Sequence, residues 1–399
     1  MASFNPRVFT NPDGLKKISN VHLVALLDKW RNYFAGRNVE IPSDAQTAFP
    51  HDDLAAALMT YDEEMPLALM NGLYYIDEAA SNETLDDLLD RAREASISIE
   101  SNGDLTPADV AVQIWLANPD LLEERHMKAM VFKKTAFLQF PGRSATSLTL
   151  PAISDQQLAA MATAMDPWFE NKQRGRGTRM FAFPRPDENK VWLLVRHGMP
   201  MTREGKHEDN GEAGVAFYRP QKHDVLIYDA TNDVLAINAQ SKGERTLYRE
   251  TIGATIFGKK SYFGDGSVFT LAPIRREGPK IQDCDGIDGI NRVRLTEVVR
   301  VIPGDPAIVD IKKSTDLFKA FGDRWSTLLD RGRFTSAKFS FVFEGSSKPR
   351  SVTIREDSTK YDRDSDAMLV EQWLRTAGFY DIERETDVID DNDAPVAAA

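Results

Sequence analysis

Along the first third of the chain, apolar positions follow a helical period. Leu15, Ile18, Leu23, Leu26, Trp30 and Phe34 form one stripe, the mark of an amphipathic helix. Asn82 stands before the acidic turn and apolar repeat of Glu83 to Ser96, where a cap belongs. Thr106-Pro107-Ala108-Asp109 joins a capping threonine to a proline at the first helical position and an acid at the third. Asn118-Pro119-Asp120 restarts the chain in the same way, and Ser154-Asp155-Gln156-Gln157 opens a further helix towards Trp168. The pattern predicts a helical domain over residues 1–172.

Beyond Arg179 the period changes. Short apolar runs at Met180–Phe183, Val191–Val195, Val215–Tyr218, Val225–Tyr228 and Val234–Ile237 are separated by polar turn clusters such as Thr231-Asn232-Asp233. Close spacing with polar turns favours antiparallel hairpins over helical crossovers. One helix is expected at Glu244–Ile252, then a Gly-rich loop and strands at Val268–Leu271 and Val293–Ile302. Residues 175–310 therefore read as an antiparallel β-rich domain.

Residues 311–380 read as an α+β module. Ser314 caps a helix through Leu317, Phe318, Phe321, Trp325 and Leu328; Lys338–Phe343 and Arg350–Ile354 form a hairpin. Asp364 or Ser365 opens a last helix that Gly378 stops. The acidic stretch 381–399 is expected to be disordered. The fold class is thus α+β: a helical N-terminal domain, an antiparallel β-rich middle domain and an α+β C-terminal module.

Composition narrows the possibilities. A single cysteine, Cys284, excludes an internal disulfide framework and speaks against Cys-based metal centres. No apolar run reaches the roughly 18–20 residues of a membrane span, and the first residues lack the basic flank and apolar stretch of a signal peptide. The expected place is the cytoplasm, with no membrane partner. Net charge is −12, but unevenly spread: residues 1–130 hold 22 acids and 10 bases, residues 131–380 hold 38 bases and 32 acids. An acidic front suits docking of a protein partner, and a mildly basic middle suits a polyanion.

Several motifs touch on chemistry and miss it. Leu193-Leu-Val-Arg-His-Gly198 resembles the strand and Arg-His-Gly start of histidine phosphatases, but the required second histidine and its α/β context are missing. Gly253-Ala-Thr-Ile-Phe-Gly258-Lys259 matches most of a phosphate-binding loop, yet Lys260 replaces the hydroxyl that would reach magnesium. His197, His207 and His223 fall close together without a zinc-like spacing, so no metal site is expected from them. Asp224-Val-Leu-Ile-Tyr-Asp229, a tight turn and an apolar run ending in Gln240-Ser-Lys242 look more promising. They resemble the acid, strand and Gln/Glu-x-Lys pattern of PD-(D/E)xK nucleases. That resemblance implies magnesium held by Asp229 and Gln240, with a second carboxylate such as Glu212 or Asp224, and a water oriented by Lys242.

Basic clusters give a second line of evidence. Lys172, Arg174, Arg176 and Arg179 crowd eight residues beside Trp168, Phe169, Phe181 and Phe183. Lys338, Lys348 and Arg350 surround the late hairpin, with Arg331 and Arg333 just before it. Cations on loops near aromatics suit phosphate contacts and base stacking. With no intact catalytic set, the leading expectation is a non-catalytic, cofactor-free, nucleic-acid-associated subunit of a cytoplasmic assembly. Lys172, Arg174, Arg176, Arg179, Lys348 and Arg350 would contact DNA or RNA, and the acidic front would hold a protein partner. As a whole the arrangement resembles accessory proteins of prokaryotic antiviral defence islands, which implies a role in antiviral defence. The alternatives are the nuclease built on Asp229, Gln240 and Lys242, and a protein-binding scaffold without nucleic acid.

Overall fold

Thr106 opens the Pro107–Ala117 helix as its sequence predicts, its hydroxyl accepting the Asp109 N–H at 3.1 Å. The Asp109 carboxylate does more than complement the helix dipole. It accepts from the Ser19 N–H at 2.8 Å and Gln113 Nε2 at 3.0 Å, and meets His22 Nδ1 at 2.7 Å. A computed structural model describes residues 5–60, 64–100, 105–207, 211–363 and 366–384. The chain divides into two units, Met1–Ala129 and Met130–Ala399.

The first unit is helical. Asn20–Leu27, His51–Met59, Leu67–Ala79, Leu85–Glu94 and Pro107–Ala117 surround a core that includes Phe9, Phe34, Leu73, Ile76, Val110 and Ile114. The stripe from Leu15 to Phe34 is carried by three short α-helices, Pro12–Leu15, Asn20–Leu27 and Arg31–Gly36, with Ile18 in the bend between the first two and Trp30 in the 3-10 turn Asp28–Trp30. The Asn118-Pro119 restart leads into the helix Asp120–Phe132.

The second unit is built on one antiparallel sheet. Its strands are β1 (Ala136–Pro141), β2 (Arg179–Arg185), β3 (Lys190–Gly198), β6 (Gln221–Asp229), β7 (Val234–Asn238), β8 (Ile290–Ile302), β9 (Ile308–Lys313), β10 (Arg333–Phe343), β11 (Arg350–Arg355) and β12 (Ser358–Lys360). They lie in the order β2-β3-β6-β7-β1-β12-β11-β10-β8-β9. A separate two-stranded hairpin, β4 (Thr202–His207) and β5 (Ala213–Tyr218), joins β3 to β6. All five apolar runs expected between 180 and 237 fall on strands.

The two halves of the sheet set their main apolar cores on opposite faces, although the first half also buries Trp192, Ile227 and Ala236 on its other side. In the first half, Leu193, Val195, Leu226, Tyr228 and Ile237 pack beneath Met161, Phe169, Tyr248 and Ile252 of the helices Asp155–Asn171 and Lys242–Phe257. Directly paired residues share a face, and the pairing runs from Ile237 through Leu138 and Ser358 to Arg355. On reaching the second half, that face therefore turns polar. There the apolar set (Leu295, Phe339, Phe341, Val352, Ile354) lies on the other side, under Phe318 and under Val370, Trp373 and Leu374 of the helix Ala367–Thr376.

The domain partition differs from the expected one. Position 172–175 lies between the Asp155–Asn171 helix and β2, whose Phe169 and Met180 share one core. The expected break at 310 falls inside β9, and β10 to β12 continue the same sheet as β8. Residues 175–310 and 311–380 are two parts of one sheet because β8 pairs with β10 along its whole length. β1 was hidden in the stretch read as helical, since six residues leave no room for alternation to show. Among the described residues, Val268–Leu271 contributes one bridge, Phe269 to Tyr380, in place of a strand. The helix expected after Ser314 is capped by Asp316 and interrupted at Gly322, whose φ is +54°. Of the acidic end, Asp381 and Glu383 bond to Val268 and Ser267 and Arg384 to Gly142 and Asn232, so this part is packed. The expected disorder beyond Arg384 lies outside the described residues.

Candidate nucleic-acid interface

Lys222 and Asp224 stand on β6 opposite His197 and Val195 of β3, so both point to the helix-covered face with His197. Next to them the Lys242–Phe257 helix begins with a capping box: Ser241 Oγ accepts the Glu244 N–H, and Glu244 Oε2 accepts the Ser241 N–H at 2.7 Å. This leaves Glu244 Oε1 for the Lys222 ammonium at 2.9 Å and for the Arg174 guanidinium. Lys222 also lies 3.1 Å from Asp224 Oδ1, and the Tyr248 hydroxyl donates to Asp224 Oδ2 at 2.8 Å. Burial alone would raise the Glu244 carboxyl. The hydrogen bonds from Lys222, Arg174 and Ser241 overcome it and hold the pKa at about 2.

His197, Asp224 and Glu244 bring three ligand atoms within 4.8 Å of one another, a cluster that histidine spacing did not suggest. The His197 Nδ1–H donates to the Gly198 carbonyl at 2.8 Å, and Nε2 faces Asp224 at 3.2 Å. The cluster already contains its cations. Lys222 contacts both carboxylates and Arg174 contacts Glu244, so two positive groups balance two negative ones inside the fold. We read it as an ion network that fastens β3, β6 and the two helices together. Phe169 stacks on the His197 ring at 4.2 Å, and Arg196 projects to the opposite face over Phe181, so the Arg-His pair cannot cradle one phosphate.

The nuclease set is not assembled. Asp229 pairs with Val234 at one end of the β6–β7 hairpin, and Gln240 and Lys242 lie beyond the pair Val225–Asn238 at the other. The reason is local: Ser241-x-x-Glu244 is a capping box, so Lys242 is the first residue of a helix and not the end of a strand. Asp229 instead accepts from the Asn232 N–H at 3.0 Å and Asn232 Nδ2 at 2.7 Å. Burial pushes its carboxyl up against the pull of Lys190. It borders a cavity of about 30 Å³, room for a water or two, with Lys190, Glu371, Tyr361 and Arg363. Lys190 spans Glu371 and Glu188 there. Of the other carboxylates expected to help, Glu212 is exposed and Asp224 belongs to the Lys222 network. The phosphate-loop lookalike closes a helix instead of opening one, with Gly258 as its left-handed cap.

The basic residues sort differently from their order in the sequence. Arg174 is turned inward to Glu244. Arg176 is exposed but tied to Glu170 at 2.7 Å, while Lys172 rests 5.9 Å over the Trp168 ring. Arg179 is exposed on the edge strand β2. Arg350 lies on the covered face, paired with Asp366 and stacked on Phe343. Lys348 is exposed in the turn after β10. Six strand positions separate β2 from β11, roughly 29 Å at the usual strand spacing, so the two clusters are distinct sites.

A different basic surface emerges on the polar face of the second half. Ser340 and Lys338 of β10 face Arg294 and Glu297 of β8, and Glu297 faces Lys313 of β9. With Arg292 they line a groove of about 550 Å³ that also presents Thr296, Ser314 and Thr315. Four cations and one carboxylate share it. Arg294 leans to Asp316 at 3.5 Å and Lys313 to Glu297 at 3.0 Å. The alternation Arg292-Val-Arg294-Leu-Thr296 was readable as a strand with a basic face. Its meaning was hidden, because the sequence does not show which face stays uncovered. Compared with protein-family models and with curated proteins, the sequence gives no match to either.

Proposed function

We propose that this chain is a non-catalytic nucleic-acid-binding subunit that holds the sugar–phosphate backbone in the groove between β8, β9 and β10. The observation that carries this reading is the composition of the groove: Arg292, Arg294, Lys313 and Lys338 line it with Glu297, Asp316 stands beside Arg294, and the sheet face is floored by hydroxyl side chains. Cations flanked by small hydroxyls suit the chemistry of phosphate oxygens. Among the described residues no aromatic side chain lines the groove, so the surface offers no stacking platform, and binding without base preference follows. The separation of Asp229 from Lys242 supports the non-catalytic part.

Fluorescence anisotropy with labelled 20-nucleotide single strands and duplexes tests it. At low salt the protein binds, and Arg292→Ala with Lys338→Ala weakens binding at least tenfold while the circular dichroism spectrum is unchanged. Absence of binding at low salt, or full binding by the double variant, overturns the reading. Magnesium- or manganese-dependent cleavage would overturn the non-catalytic part alone.

A further inference from the structure

The sheet ends at β9, and among the described residues nothing pairs with its outer edge. Ile308, Val309 and Ile311 on this six-residue strand are 61, 61 and 54 % exposed. An open edge with a row of free amide and carbonyl groups and exposed aliphatic side chains is a template for another strand, and edges left solitary are usually shortened, bulged or covered.

We propose that the occupant is β9 of a second copy, paired antiparallel about a two-fold axis at Ile311. Strand length and charge together select this register, since centring on Val309 would keep only residues 308–310 of β9 in the ladder. Pairing centred on Asp310 sets Asp310 against itself, and centring on Lys312 sets Lys312 against itself. Centring on Ile311 places the two Ile311 side chains together and each Asp310 opposite the other copy's Lys312. Apolar and opposite-charge cross-strand pairs stabilise such a ladder, and like charges oppose it. The contact is isologous and closes at two copies, which turns two ten-stranded sheets into one.

The dimer bears on the proposed binding site, and this second step rests on that reading. Ile311 and Lys313 lie on the same face as the groove, because they pair with Val299 and Glu297. A two-fold axis through the edge keeps that face on one side in both copies. The two β8 strands then sit three strand spacings apart, roughly 14 Å. The grooves merge into one cationic strip whose natural ligand is a backbone longer than a single groove spans.

Analytical ultracentrifugation of the full chain, without nucleic acid, tests the pairing itself. The wild-type protein sediments as a dimer at tens of micromolar, and Ile311→Lys sediments as a monomer with unchanged circular dichroism. A monomeric wild type at that concentration, or a dimer that survives Ile311→Lys, overturns the proposal and leaves the groove reading intact. If the variant misfolds, hydrogen exchange of the wild type decides: protection of residues 308–313 rises with protein concentration, and a concentration-independent rate refutes the pairing. For the merged strip, the neutral Ile311→Asn, which weakens the pairing without adding a cation to the groove face, lowers affinity for a 30-mer at least fivefold but leaves that for an 8-mer within twofold; equal effects on both refute it.

Discussion

Lys222 donates to Glu244 across 2.9 Å, joining the start of β6 to the first turn of the Lys242–Phe257 helix. The same carboxylate caps that helix and accepts Arg174 from the loop before β2. One buried side chain thus fastens three segments that the sequence separates by about 70 residues.

Removing the charge of Glu244 leaves the Arg174 guanidinium facing a neutral amide inside the fold and Lys222 with Asp224 as its carboxylate. Glu244→Gln is expected to destabilise the protein by about 3 kcal/mol at pH 7, in the range for breaking a buried ion pair from one side. Urea unfolding followed by tryptophan fluorescence measures it. A loss below about 0.5 kcal/mol would mean the network is slack.

The same residue gives a pH dependence of defined sign. Its folded pKa of about 2 lies below the model-compound value of 4.5. Between those values the unfolded chain binds the proton and the native chain does not. The contribution is therefore complete above about pH 4.5 and is lost as pH falls through 2. Wild type loses up to about 3 kcal/mol from this group over that range, and Glu244→Gln flattens that part of the curve. Parallel curves for the two proteins between pH 5 and 2 would contradict it.

Gly142 sits against Asp233, which is fully buried and accepts from the Tyr228 hydroxyl at 2.9 Å, the Tyr262 hydroxyl at 3.0 Å and the Ser144 N–H at 2.7 Å. A Cβ at Gly142 would lie 2.2 Å from the Asp233 carboxylate. Gly142→Ala is expected to cost about 1–3 kcal/mol and to lower the midpoint of thermal unfolding. An unchanged midpoint would show that the carboxylate can move aside.

Arg174 and Arg292 separate burial from surface charge. Arg174→Ala should lower stability and leave nucleic-acid affinity within twofold, since its guanidinium is bound to Glu244. Arg292→Ala should do the reverse, because Arg292 is exposed on the groove rim. Paired melting and anisotropy data on both variants check this. An Arg174→Ala protein that melts normally but binds poorly would return the site to the 172–179 loop.

Much of the architecture was legible because local signals agreed with the fold: the Thr106 cap, the hairpin runs from 180 to 237, and the change from helical to alternating period. What stayed hidden depended on distant contacts. β1 pairs with β7 and β12, about 100 and 220 residues away. The ion network unites His197, Lys222, Asp224 and Glu244 from strands and a helix whose proximity no spacing reveals. Ser241-x-x-Glu244 was the readable exception, a capping box that rules out a strand through Lys242. Charge in a sequence carries no direction: Arg174 and Arg350 turn to buried acids, Lys172, Arg176, Arg179 and Lys348 stay exposed, and Arg292 and Lys338 face outward on the sheet.

The central claim is that phosphate is held in the β8–β10 groove, and the salt dependence of binding tests it most directly. Binding constants for a 20-nucleotide strand, measured from 50 to 300 mM salt, give a slope proportional to the phosphates neutralised. The account predicts that Arg292→Ala with Lys338→Ala reduces the slope by about 2, one for each cation removed, and that Arg176→Ala with Arg179→Ala leaves it unchanged. The opposite pattern, a slope held by the groove variant and lost in the loop variant, would contradict it.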